Sequence, residues 1–218
     1  MRQIQTLSIP LAVTFGLVAT LLSLAGQPPA PKSADGREAE GQRVRKYTKV
    51  WTDDYHNHNK EVYLAYTKTL KDEKGVEYAV EIRHGKATGF HKNGNKFWEV
   101  EYRHGKAEGE FTNWAENGTR TALMTCRNGL GEGKYLQWNR DGRKMREEIY
   151  EKGKLNGEAR WWDGDGKLLT TGTYRDGVPW DGTFPELESP PGENSRWVIR
   201  RYEDGKKVSQ EKLTGNWW

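Results

Sequence analysis

Large apolar residues in the middle of the chain recur at fixed distances from glycine-containing pairs. The pairs form two ladders, each with a period of 24 residues: Asn93-Gly94, Asn117-Gly118, Asp141-Gly142 and Asp165-Gly166, then His104-Gly105, Asn128-Gly129, Lys152-Gly153 and Asp176-Gly177. A two-residue connection ending in glycine is typical of a β-hairpin, because a type I′ turn needs positive φ at both central positions. The eight turns predict nine consecutive antiparallel strands with no helix between them.

Aromatic residues keep the same period. If every turn is a regular two-residue hairpin, Trp114 pairs with Thr121, Trp138 with Met145 and Trp162 with Leu169. One face then collects Phe90, Phe97, Trp114, Leu123, Leu136, Trp138, Met145, Ile149, Trp162 and Leu169. The other collects Trp98, Tyr102, Phe111, Met124, Cys126, Tyr135, Tyr150, Trp161 and Tyr174. Both faces of the predicted sheet are therefore partly apolar.

A wide aromatic patch is uncommon on a soluble sheet unless something covers it. Three arrangements would cover it. The sheet can curl so that rings fold over glycines of their own face, residues 44–80 or 186–218 can cap a face, or a partner can bind. The third arrangement makes five residues candidates for binding: Trp114, Trp138, Trp161, Trp162 and Tyr135.

The repeated segments resemble a known family. EVEYRHGKAEGEFTNWAENGTR, EEIYEKGKLNGEARWWDGDGKL and TGTYRDGVPWDGTF resemble the MORN repeat, in particular its bacterial variant, often called antitoxin-like. The resemblance spans residues 81–186, with a degenerate further unit at residues 201–205. It implies an all-β fold, an elongated antiparallel β-meander of tandem MORN-like hairpin repeats, used as a scaffold or interaction surface. The antitoxin role of some relatives is not carried over to this chain.

The segments on either side of the repeats differ from them. Residues 44–80 alternate apolar and polar positions, with a turn signal at Lys74-Gly75, and predict two or three irregular strands. Residues 187–218 predict a loop and a capping hairpin, because the ends of a repeat array must cover its last unit. Within the repeats, Gly89 to Gly94 is four residues shorter than Gly109 to Gly118, which predicts a shorter first hairpin.

An apolar run lies N-terminal to all of the predicted strands. Residues 7–25 form a stretch long enough to cross a bilayer as an apolar helix, with small residues at Ser23 and Ala25. It is either a signal peptide cleaved after Ala25 or a retained anchor in the inner or plasma membrane. Residues 26–43 are rich in proline and charge and predict a flexible linker. The expected location is extracytoplasmic, periplasmic or secreted, with membrane association through the N-terminus.

Composition narrows the function. Lys and Arg number 35 against 31 Asp and Glu, and the two signs alternate along most strands, which argues against nucleic acid as a partner. The single cysteine, Cys126, excludes an intrachain disulfide and a cysteine-based zinc cluster. It stands where the other repeats have tyrosine, so packing explains it better than reactivity.

Candidate chemistry is sparse. Asp54, His56 and His58 are weak candidates for metal ligands, because runs of Asp, His and Asn are commonly turns. No catalytic residue and no cofactor is predicted. The sequence therefore predicts a non-catalytic protein-interaction or scaffold module. The alternatives are a carbohydrate or cell-wall binding protein and, behind it, a metal-dependent enzyme built on residues 53–58.

Overall fold

The computed structural model describes residues 37–39, 42–50, 60–188 and 197–212. These residues form one antiparallel sheet in which fourteen strands follow one another in chain order, and no helix is found among them. The strands are β1 (Arg37–Ala39), β2 (Gln42–Val50), β3 (Lys60–Lys71), β4 (Glu77–Phe90), β5 (Lys96–Arg103), β6 (Lys106–Trp114), β7 (Arg120–Arg127), β8 (Leu130–Trp138), β9 (Lys144–Glu151), β10 (Lys154–Trp162), β11 (Leu168–Arg175), β12 (Val178–Leu187), β13 (Trp197–Glu203) and β14 (Lys206–Lys212). The predicted β-meander is confirmed, while the predicted N-terminal helix lies outside the described residues.

Strands β4 to β12 are the nine strands that the glycine pairs predict. In the second ladder the turns have the expected geometry. His104 and Gly105, for example, have φ of 51° and 80°, as a type I′ turn requires. Asp204-Gly205 repeats this geometry, with φ of 48° and 74°, between β13 and β14. The degenerate unit at residues 201–205 is thus a hairpin turn of the same kind.

The first ladder differs from the prediction by one residue. In each of its turns only the glycine has positive φ, and the hydrogen bonds close a three-residue loop: Gly118 N donates to Ala115 O and Ala115 N to Thr119 O. This is a type I turn followed by a glycine bulge. Trp114 therefore pairs with Arg120, and the predicted partner Thr121 is left unpaired at a second register shift, between the Trp114–Arg120 and Asn113–Ala122 pairs. The predicted pairing of Trp114 with Thr121 is wrong.

The same shift holds in the next two repeats. Trp138 pairs with Lys144 and Trp162 with Leu168, so the predicted pairings with Met145 and Leu169 are also wrong. In these two loops a side chain at the start of the loop supports the turn, although the loop at Ala115 adopts it without one. Asn139 Oδ1 accepts hydrogen bonds from the backbone N–H groups of Asp141 and Arg143 at 3.0 and 2.9 Å, which holds the chain in the type I turn.

The turns of successive hairpins are hydrogen-bonded to one another at both ends of the strands. Gly129 N donates to Ala107 O at 2.8 Å, and Gly153 N donates to Gly131 O at 2.9 Å, in the second ladder. In the first ladder, Asn117 Nδ2 donates to Arg140 O at 3.0 Å. These bonds link positions about one repeat apart, so an insertion in one repeat would break them. They give a physical reason for the constant period.

The ends of the sheet extend the repeats. Gly85, 24 residues before Gly109, has the same positive φ and pairs with Tyr102 as Gly109 pairs with Cys126. The first hairpin is therefore as long as the next, and the predicted shorter hairpin is wrong, because Gly85 and not Gly89 is the equivalent glycine.

The turn signal at Lys74-Gly75 is confirmed between β3 and β4, and the predicted C-terminal hairpin is β13 with β14. β1 and the start of β2 lie in the segment assigned to the linker.

One face of the sheet, called the core face below, buries its own rings. Tyr102, Tyr135, Trp161 and Phe184 are nearly inaccessible there. Glycines on neighbouring strands make room for them. A Cβ atom added to Gly172 would lie 2.4 Å from Cζ of Phe184. The described residues form a single layer, so rings packed over glycines of their own face supply the core, as in the first of the three arrangements.

Candidate binding surface

The opposite face, called the outer face, carries a row in which aromatic and cationic side chains alternate from strand to strand. We call it the aromatic–cation row. It has one residue on each strand from β3 to β10: Lys60, Phe90, Lys96, Trp114, Arg120, Trp138, Lys144 and Trp162. Direct cross-strand pairs link Lys60 with Phe90, Phe90 with Lys96, Trp114 with Arg120, and Trp138 with Lys144. The three-residue loops produce this row, since they place the residue two positions after each loop glycine opposite a ring.

Each ring of the row has a cation over it. Lys96 Nζ lies 5.3 Å from the ring centroid of Trp114, Arg120 Cζ lies 4.9 Å from that of Trp138, and Lys144 Nζ lies 5.1 Å from that of Trp162. Lys60 Nζ makes the same contact with Phe90 at 5.3 Å. Cation–π attraction orders the long basic side chains against the rings, so that the row presents ordered charge.

Two carboxylates lie beside the row and are outnumbered by cations. Glu99 accepts from Lys96 at 2.7 Å and from Lys86 at 3.1 Å, and Glu147 lies 2.9 Å from Lys144 and 3.3 Å from Lys134. Partial burial opposes ionisation of Glu99, yet the two lysines hold its pKa below the ordinary value. The hydrogen bond from Lys144 does the same to the pKa of Glu147. Around these two carboxylates, the four cations of the row together with Lys86 and Lys134 therefore leave a local excess of positive charge.

The five predicted binding residues fall on different faces. Trp114, Trp138 and Trp162 are half-buried and belong to the aromatic–cation row. Tyr135 and Trp161 lie on the core face, with 2% and 7% of their surface exposed. Trp161 packs against Phe184 at 5.4 Å between ring centroids and cannot present its ring to a partner in this fold. The structure thus brings together three of the five.

The cations of the row were not singled out from the sequence, although a signal for them exists. Lys96, Arg120 and Lys144 recur every 24 residues, each two positions after a first-ladder glycine. The assumed two-residue turns hid their role, because that register places Thr121 and not Arg120 opposite Trp114. The period of the basic residues, compared with that of the tryptophans, would have pointed to the row.

Two ion pairs lie on the core face. Arg146 Nη2 is 2.6 Å from Glu148 Oε1, and Glu148 is fully buried. Arg83 Nη2 is 2.6 Å from Glu61 Oε1, and Glu61 is 4% exposed. Burial raises the pKa of both carboxyls, and the adjacent arginines oppose that rise. Both carboxyls are closed off from substrates, so these pairs belong to the structural core.

The other chemically distinctive groups have structural surroundings. Cys126 is half-buried beside the core cluster, and burial raises the pKa of its thiol from 9.0 to about 11, which keeps it protonated at neutral pH. A cleft of about 570 Å³ lies beside the bulge of β4, with apolar Val44 and Leu64 and with charged groups of both signs, among them Lys46 and Glu101. Its mixed charges single out no ligand.

The sequence also raises metal binding and membrane crossing. In the described part of the chain, no three or more His, Cys, Asp or Glu side chains converge as a metal site requires. Asp54, His56 and His58 lie outside that part. Among the residues that the structure describes, no helix has the length and apolar character to cross a membrane, and residues 7–25 are not among them.

Comparison with known proteins gives no relative from which function could be transferred. No protein-family model, no curated protein and no solved structure matches this chain.

Proposed function

We propose that this chain is a non-catalytic binding scaffold of MORN-like repeats that holds another protein against its aromatic–cation row. The observation that carries the proposal is the row itself. Four cross-strand pairs and three cation–π contacts link its eight residues in one alternating series, whereas the core face buries its aromatic rings. Tryptophan and arginine, which the row presents at Trp114, Arg120 and Trp138, are residue types enriched in protein interfaces.

Glycan binding is supported less well by this geometry. Sugar rings bind by stacking on open aromatic faces, and a cation lies over the rings of Trp114, Trp138 and Trp162. A glycan would have to displace these side chains and lose their cation–π attraction. Charge on the partner, rather than a flat sugar face, therefore matches the row better.

Photo-crosslinking tests the proposal. With p-benzoylphenylalanine in place of Trp138, we expect one protein adduct in cells of the organism that encodes the chain, because this position lies in the middle of the row. The same probe in place of Tyr78, which is exposed on β4 away from the row, is the matched control and should give no such adduct. The adduct should disappear with Lys96→Glu and Arg120→Glu.

Two results would contradict the proposed function. One is identical adducts from positions 138 and 78, which would mean nonspecific collision. The other is an adduct at position 138 that survives both charge reversals, since the row would then contribute nothing to binding.

We also propose that residues 7–25 direct the sheet out of the cytoplasm. The support is the apolar run followed by a proline-rich segment. Cell fractionation with mass measurement of the intact chain is the test. We expect either a chain that begins at Gly26 in the extracytoplasmic fraction or the full chain in the membrane fraction. Full-length chain in the soluble cytoplasmic fraction would disprove export.

A further inference from the structure

We propose that the partner segment bound by the aromatic–cation row is a polyproline II helix with an acidic side chain at every third residue. The inference rests on the proposed function and adds the chemistry and conformation of the ligand. It follows from the spacing of the cations, the residues between them and the sign of the charge.

The spacing of the cations is set by the sheet. Lys60, Lys96, Arg120 and Lys144 lie on β3, β5, β7 and β9, so they recur on every second strand. Neighbouring strands are about 4.8 Å apart, which places successive cations roughly 9.6 Å apart along the row. A polyproline II helix has three residues per turn and rises about 3.1 Å per residue, or about 9.3 Å per turn. Acids at every third position would therefore meet successive cations.

The conformation of the partner segment matters as much as the distance between its acids. In a β-strand, alternate residues point to opposite sides, so every third residue changes side and only every sixth could meet the row. In a polyproline II helix, every third residue stays on one side of the helix. An extended strand with the same acids would leave half of them facing away from Arg120 and its neighbours.

The residues that separate the cations in the row have the same spacing as the residues that separate the acids in the partner segment. A ring stands on each intervening strand, with Trp114 between Lys96 and Arg120, and Trp138 between Arg120 and Lys144. A polyproline II helix is preformed, so it loses little conformational entropy on binding. Prolines between the acids would lie over the intervening strands, beside the cation-covered rings and without displacing the cations.

Charge selects an acidic partner. The row contains four basic side chains, and Lys86 and Lys134 bring two further cations to the two flanking carboxylates. Arg160 is paired with Glu158 at 2.7 Å and adds no surplus charge. The side chains of Glu99 and Glu147 are only 23% and 13% exposed, so their charges are engaged by these cations. The surplus of positive charge favours association with anions and disfavours basic segments.

A peptide of four Glu-Pro-Pro units tests the inference, with fluorescence anisotropy on the purified full chain at low salt. We expect binding at least roughly tenfold tighter than that of an isomer with its four glutamates in one terminal block, and no binding of the Lys-Pro-Pro analogue. The affinity should fall with added salt, because the contacts are charged and partly exposed.

Variants locate the binding site. Lys96→Gln with Arg120→Gln should reduce binding at least roughly tenfold, since two of the four contacts lose their charge. Lys206→Gln with Lys207→Gln removes the same charge from exposed β14 and is the matched control, with binding expected to be unchanged. Equal loss in both pairs would show a general charge effect and overturn the assignment to the row.

The remaining outcomes separate this inference from the proposed function. Equal binding of the block isomer would overturn the three-residue register. Tighter, row-dependent binding of a thymidine oligonucleotide or of heparin would identify another class of anion and overturn the peptide assignment. An adduct at position 138 in cells without peptide binding would refute the inference and leave the proposed function standing. Absence of both adduct and peptide binding would refute both.

Discussion

Replacing Trp161 with alanine is expected to lower the free energy of unfolding by about 3–5 kcal/mol, as for other large aromatic residues removed from a core. Trp161 is 7% exposed and packs against Phe184 and Tyr174. The neighbouring change, Trp162→Ala, is expected to cost about 1 kcal/mol, because this ring is half-buried on the outer face. Urea denaturation followed by circular dichroism measures both losses.

The two tryptophans are the same residue type and are neighbours on one strand, so the comparison isolates the face on which each lies. Trp162→Ala should keep the fold and reduce crosslinking from position 138, whereas Trp161→Ala should weaken the fold. Equal loss of stability in the two variants would contradict the assignment of the faces.

A second large effect is expected at the buried ion pair on β9. Arg146→Ala should lower the free energy of unfolding by about 3–5 kcal/mol, because it leaves the carboxylate of Glu148 buried without its arginine. The repeat itself suggests the compensating change. The residues 24 positions earlier are Ala122 and Met124, both buried in the core of the preceding repeat.

The double variant Arg146→Ala, Glu148→Met should therefore recover most of the stability that Arg146→Ala loses. Apolar replacement of a buried ion pair is often neutral or stabilising, because no desolvated charge remains. The comparison is a double-mutant cycle measured by urea denaturation. A double variant less stable than Arg146→Ala alone would show that the ion pair, and not its isolated carboxylate, determines the effect.

The fold was accessible from the sequence because its main determinants are local. Glycine pairs such as Asn128-Gly129 fix turns within a few residues, and their constant spacing fixes the number and order of the strands. The type of the first-ladder turns was not accessible in the same way. Asn117-Gly118 and Asn128-Gly129 look alike in sequence, yet only Asn128 has positive φ. The two turns differ in their backbone hydrogen bonds: Ala115 N donates to Thr119 O around Asn117-Gly118, whereas Gly129 N donates to Ala107 O of the preceding hairpin.

The candidate site was predicted only in part, because burial and register depend on contacts between strands as well as on local sequence. Neighbouring residues of a strand point to opposite faces, so the sequence places Trp161 and Trp162 on different faces. It does not show which of the two is buried, because burial depends on the packing of rings over glycines of other strands. The one-residue error in register then hid the cations opposite the tryptophans. Arg146 and Glu148 escaped notice because alternating charges along a strand are usually solvated, whereas here both face the core.

The proposed binding surface requires the two faces of the sheet to differ in exposure, and hydroxyl-radical footprinting of the tryptophans in the purified chain tests that difference most directly. Trp114, Trp138 and Trp162 are expected to oxidise faster than Trp161, which is 7% exposed. Addition of a ligand that binds the aromatic–cation row should protect those three. Oxidation of Trp161 as fast as Trp162 in the free chain would contradict the assignment of Trp161 to a buried core face and Trp162 to the outer face.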